Sequence, residues 1–169
     1  MDDRGIVGHI PAHQFVDHVY KPGTDPNPAY NAIWYGALGA ALRLAELLGD
    51  AGTAAAVAQT RSALSSSFAS AFYDTTTGVY RDGDARESDA ADKAARAPFG
   101  GVSEQANMAA IAWGLASEDQ AASIVDHLFE SADVPYRESA PYFAAVSLKA
   151  FAACDRRDLA LRYLTERWG

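Results

Sequence analysis

Three times along the chain, a stretch that is apolar all the way round is followed after a short connection by one that is apolar on one face only. Residues 30–48 (YNAIWYGALGAALRLAELL) carry only Asn31, Arg43 and Glu46 as strongly polar side chains, so a helix there has no evident solvent face. Residues 53–73 differ: Val57, Leu64, Phe68 and Phe72 recur at helical spacing, while Gln59, Thr60, Arg61 and a serine-rich run fill the rest of the wheel. The pairing returns as 104–115 with 118–130, and as 141–153 with 156–167. A helix covered on every side needs neighbours on every side. The pattern therefore predicts an all-α fold with two concentric layers, apolar helices inside and amphipathic helices outside.

Local signals agree with that period. Asn27 with Pro28 opens the first helix, Ser103 caps the third, Ser117 with Gln120 forms a capping box, Pro141 suits a first turn and Asp155 is placed to cap the last helix. Within each pair the link is short, as antiparallel neighbours require. Between pairs it is longer, above all over residues 74–102. With apolar helices inside, every long connection falls on one rim, at the amino-terminal ends of the inner helices. Loops gathered on one rim of a rigid scaffold are where binding groups usually sit.

Bulk properties narrow the function classes. A chain of 169 residues, 49% apolar, is expected to form one domain with a real core. A net charge of -8 and a pI near 4.8 oppose binding to nucleic acid or an anionic membrane, which rely on clustered Lys and Arg. Residues 1–8 hold no apolar signal segment, so a cytoplasmic setting is expected. Cys154, the only cysteine, reads as a small buried hydrophobe. His9, His13 and His18 match no zinc spacing, and the glycine-rich cofactor and phosphate-binding motifs are absent; neither a metal nor a cofactor is expected.

The rim collects most of the chemistry. Asp17, His18 and Tyr20 precede the first inner helix, Asp82 and Asp84 lie in the second connection, Glu104, Gln105 and Asn107 begin the second inner helix, and Tyr136, Arg137, Glu138 and Tyr142 surround the third. Two carboxyls from such a set can act as acid and base across a glycosidic bond, although a solvated or capping role suits each acid as well. Trp34, Tyr35 and Trp113 sit within inner helices. There they either pack in the core or face a central cavity, where an aromatic ring can stack on a sugar.

The order FVDH (Phe15 to His18), NAIWYGALGAALRLAELLGD (Asn31 to Asp50), GVYRDG (Gly78 to Gly83), SEQANMAAIAWGLA (Ser103 to Ala116), APYFAAVSLKAFAACDRRDLAL (Ala140 to Leu161) and RWG (Arg167 to Gly169) resembles the six-hairpin catalytic domain of bacterial α-L-rhamnosidases. Glucoamylase and glycogen-debranching six-hairpin enzymes share the NAIWY-type helix and are the neighbouring alternatives. The resemblance implies an (α/α) toroid of which three of six inner and outer helix pairs are present. It also implies inverting hydrolysis of terminal α-L-rhamnosides.

The rim and the inner-helix aromatics give an expected substrate-binding set of Asp17, His18, Trp34, Tyr35, Glu104 and Tyr142. Asp17 carries over as a pocket-rim residue, and His18 stands where the family tends to have a Trp. The family's general acid belongs to a motif upstream of Phe15 and its general base to one just beyond Gly169. Neither matches a position here, so the chain is expected to be an inactive segment on its own. A half toroid leaves apolar surface at two open edges, which predicts self-association or a complementing chain. A non-catalytic helical-pair module that binds protein or carbohydrate is the reading of a different class.

Overall fold

The computed structural model describes residues 1–8, 15–19, 26–83 and 101–169. His9, His13, Tyr20, Asp84 and most of the long connection lie outside the described residues. Among the described residues six α-helices follow in order: α1 Pro28–Leu47, α2 Ala51–Phe72, α3 Glu104–Ala112, α4 Glu118–Val125, α5 Ala144–Ala153 and α6 Arg157–Arg167. A two-stranded hairpin, β1 Tyr73–Asp74 with β2 Val79–Tyr80, follows α2. Its tight turn uses Gly78 at φ +69, where a Cβ would stand 2.2 Å from Ser123 Oγ on α4. A side chain there is excluded both by the backbone and by that neighbour.

The helix starts follow their capping chemistry. Asn27 accepts from the Tyr30 amide, Asp50 from Thr53 and Ser103 from Ala106, and Ser117 with Gln120 closes a reciprocal capping box. Asp155 departs from expectation. It takes a left-handed φ of +53 and pairs with Arg157 on the surface, leaving α6 to begin without a side-chain cap. Two predicted helices also change geometry along their length. The third inner helix begins as a 3-10 turn, Pro141–Phe143, and α4 widens into a π turn over Asp126–Glu130, with Ser131 N–H bonded to the Asp126 carbonyl at 2.8 Å.

Packing places α1 against α2, α3 between α1 and α5, and α5 against α6. The inner row is thus α1, α3, α5. Every residue of α3 is buried, its polar ones included, as an apolar-all-round helix in mid-row requires. The ends of the row differ. Ile33, Trp34, Leu44, Leu47 and Leu48 leave one face of α1 open, and Leu161, Leu164 and Trp168 are exposed on and beside α6. Two aromatic clusters tie the elements together, the first joining α2 to the hairpin and the second joining inner α5 to the outer layer. Phe68 meets Phe72 and Tyr80, each at 5.1 Å between centroids, and Phe151 meets Phe129 at 5.0 Å and Tyr163 at 5.7 Å. No described helix is long and apolar enough to cross a membrane.

One hydrogen-bond device occurs twice. Asn31, four residues after the α1 cap, gives its amide to the carbonyls of Asn27 and Val7 and accepts from the Val7 N–H. Asn107, four residues after the α3 cap, does the same with Ser103 and Tyr80. In both cases the carboxamide copies one rung of a sheet and fastens an inner helix to the backbone of an earlier segment. Asn107→Ala leaves the Tyr80 amide and carbonyl buried without that partner, so a loss of about 2 kcal/mol is expected. Hydrogen exchange should show it as faster exchange at the Tyr80 amide than elsewhere in the core.

Candidate functional site

The rim is assembled by a buried carboxylate. Asp17 is only 3% exposed. Its Oδ1 accepts from the His18 N–H at 2.7 Å, and its Oδ2 accepts from Gln105 Nε2 at 2.9 Å and from the Ala140 N–H at 2.6 Å. One side chain thereby joins the segment before α1, the first turn of α3 and the approach to α5. Above it lie three rings. Phe15 meets His18 edge-on at 5.3 Å and Tyr142 at 5.8 Å. Tyr142 is 69% exposed and Phe15 46%, so the cluster presents apolar faces outward.

A second buried carboxylate stands beside the first. Glu104 accepts from the Ser139 N–H and hydroxyl, both at 2.9 Å, from Ser147 Oγ at 2.6 Å, from Tyr163 OH at 2.8 Å and from Arg167 Nη1 at 2.6 Å. The consecutive amides of Ser139 and Ala140 are therefore held by two acids, Glu104 and Asp17. Arg167 also reaches Glu138 at 2.9 Å. Burial opposes its charge, yet Glu104, Tyr163 and Glu138 more than compensate and hold its pKa above the ordinary value. Burial, and then the charge of Glu104, pushes the Tyr136 phenol up to about 12 and also raises that of Tyr163. Both phenols keep their protons at neutral pH and can act as donors.

The arrangement is a fixed aromatic platform over saturated acids. Every oxygen of Asp17 and Glu104 already accepts from a protein donor. Gln105 Oε1, buried in the same network, accepts no hydrogen bond from the protein and suits an ordered water. Among the described residues no group of three or more His, Cys, Asp or Glu is placed to hold a metal ion. Residues 12–156 match the family model of the mannosylglycerate hydrolase MGH1-like glycoside hydrolase domain, a span that includes the platform, both acids and five of the six described helices. The chain belongs to that family. No curated protein sequence matches the chain.

Membership of the MGH1-like domain family makes this an all-α glycosidase-type domain of the six-hairpin kind, and it does not single out the α-L-rhamnosidases. Within the MGH1-like domain, Asp17, His18 and Tyr142 come together. Of the other three expected substrate-binding residues, Glu104 is beside Asp17 but enclosed, and Tyr35 and Trp34 sit elsewhere. Glu104 has no exposed surface, because the first turn of a mid-row helix is enclosed by the connection and helices it anchors. Tyr35 turns toward α2, where the Arg61 guanidinium lies 3.9 Å over its ring. Trp34 is 39% exposed on the open face of α1.

Several rim residues turn inward instead. Asp82 is buried and accepts from the Ser103 hydroxyl, and Asn107 serves the backbone bracket. His127 pairs with Asp133 at 2.7 Å. Cys154 is half-buried and burial raises its pKa, which keeps it a thiol and a poor nucleophile. Sequence reasoning missed Phe15 as the centre of the ring cluster. In the FVDH segment Phe15 and His18 are exposed and Val16 and Asp17 buried, a split that residue identity alone does not show.

Proposed function

We propose that the chain supplies the glycoside-binding rim of an MGH1-like hydrolase, with Phe15, His18 and Tyr142 receiving a terminal sugar. The exposed three-ring cluster fixed over Asp17 is the observation that carries this reading. Sugar rings present apolar C–H faces to aromatic planes and hydroxyls to polar edges, and His18 offers both. A mannoside with an acidic aglycone is the preferred ligand, because the family name points to mannosylglycerate; an α-L-rhamnoside is the second.

Inverting hydrolysis needs two carboxyls about 6.5–9.5 Å apart with a water between them. Asp17 and Glu104 are each committed to protein donors, which supports binding without cleavage by this chain alone. The exposed apolar side chains on α1 and α6 support a complementing polypeptide, which would bring the acid and base. A purely binding module is the alternative, and finding acid and base motifs in the adjoining coding sequence would exclude it.

Calorimetric titration with mannosylglycerate, methyl α-mannoside and methyl α-L-rhamnoside tests the platform. Tyr142→Ala and His18→Ala are each expected to weaken binding about tenfold, equivalent to about 1.4 kcal/mol, with no turnover of aryl glycosides. Sugar affinity unchanged in both variants, or absent from the parent protein, would remove the platform as a binding site.

A further inference from the structure

Away from the rim, three helices bring cations together in a chain of net charge -8. Arg43 comes from α1, Arg61 from α2 and Lys149 from α5. A Cβ added to Gly39 would lie 3.4 Å from Arg61 Nε and 3.9 Å from Arg43 Nη1, so both guanidinium groups reach the same bare patch of α1 backbone. One turn away on α1, Gly36 packs on the Trp113 ring, and Lys149 Nζ lies 3.2 Å from that ring's centroid. Desolvation and the charge of Arg43 both lower the Lys149 pKa, which places the two cations within each other's field. Among the described residues none of the three makes an ion pair or donates a hydrogen bond.

Two further observations point to a ligand. Arg61 Nε and Trp113 Nε1 are buried N–H groups with no acceptor, where nearly all such groups are paired. A cavity of 240 Å³ opens beside Arg61 between α1 and α2, lined also by Tyr35, Leu42, Ser62 and Ser65. Clustered like charges repel, and a desolvated guanidinium without an acceptor is costly; an oxyanion relieves both.

We propose that Arg43, Arg61 and Lys149 form a binding site for a small anion bearing carboxylate or phosphate oxygens, seated over Gly39 beside this cavity. The Arg61 fork supplies the directed donors, and the more exposed Arg43 and Lys149 supply charge at the mouth. The absence of a Cβ at Gly39 leaves the ligand its approach. The site stands independently of the sugar platform, and each can fail without the other.

Calorimetry with inorganic phosphate and, separately, succinate at constant ionic strength set by potassium chloride is the test, and it distinguishes the two anion sources. Saturable binding is expected for at least one of them, on the order of millimolar Kd. Arg43→Gln and Lys149→Gln, both at exposed positions, should each weaken it about tenfold, whereas Arg157→Gln, at the start of α6 with a 91% exposed side chain, should not. A thermal melt of each variant confirms folding. Heats no larger than those of chloride, or affinity retained in both Arg43→Gln and Lys149→Gln, would overturn the assignment.

Discussion

Replacing Glu104 with alanine is expected to cost about 3–5 kcal/mol of folding stability, because removing one partner of a buried ion pair strands the other. Arg167 then keeps Glu138, 67% exposed, as its carboxylate partner. Ser139, Ser147 and Tyr163 lose their shared acceptor in the same step. Glu104→Gln retains a carbonyl acceptor and the packing volume, so a smaller loss is expected. Urea denaturation checks both: the midpoint should fall for each, further for alanine, with an unchanged slope if the native state stays compact. A loss within experimental error for Glu104→Ala would mean that the five contacts do not hold the rim connection to α5 and α6.

Phe68→Ala is expected to cost about 3–5 kcal/mol, the range for emptying a buried phenylalanine site. The ring is fully buried on α2 and touches both Phe72 and Tyr80. Tyr80 in turn reaches α4 through its hydroxyl, 3.0 Å from Gln120 Oε1. The cavity would therefore open where the first pair, the hairpin and the second pair meet. Phe68→Leu keeps most of the volume and should cost less than about 1.5 kcal/mol. Thermal melts followed by near-ultraviolet circular dichroism distinguish the two, and equal losses would argue that ring volume is not what Phe68 contributes.

The helices were legible because their signals are local. Asn27, Ser103 and Ser117 each cap the helix that their position announces, and the apolar-all-round stretch at α3 is buried throughout. The rim was legible as a place more than as a set of contacts. Glu104 and Asp17 share its neighbourhood, yet their partners are main-chain amides of Ser139 and Ala140, and a backbone amide leaves no trace in residue identity. Tyr35 and Trp34 are adjacent on one helix and differ by a rotation of 100°, enough to turn one toward Arg61 and leave the other on the open face. Asp155 failed as a cap because a left-handed residue at the turn moved the helix start past it.

The two asparagine brackets bear on how such a domain could be cut and recombined. Asn31 is completed by Val7 and Asn107 by Tyr80, so α1 and α3 borrow their fastening from chain that precedes their own pairs. A helical hairpin excised at its helix ends would carry an unsatisfied carboxamide into any new host. One excised with the extended residues before it would carry its own fastening. The transferable module is thus offset from the visible hairpin by one connection, and the crossover point that preserves the Asn107 bracket lies where outer α2 ends, at Phe72.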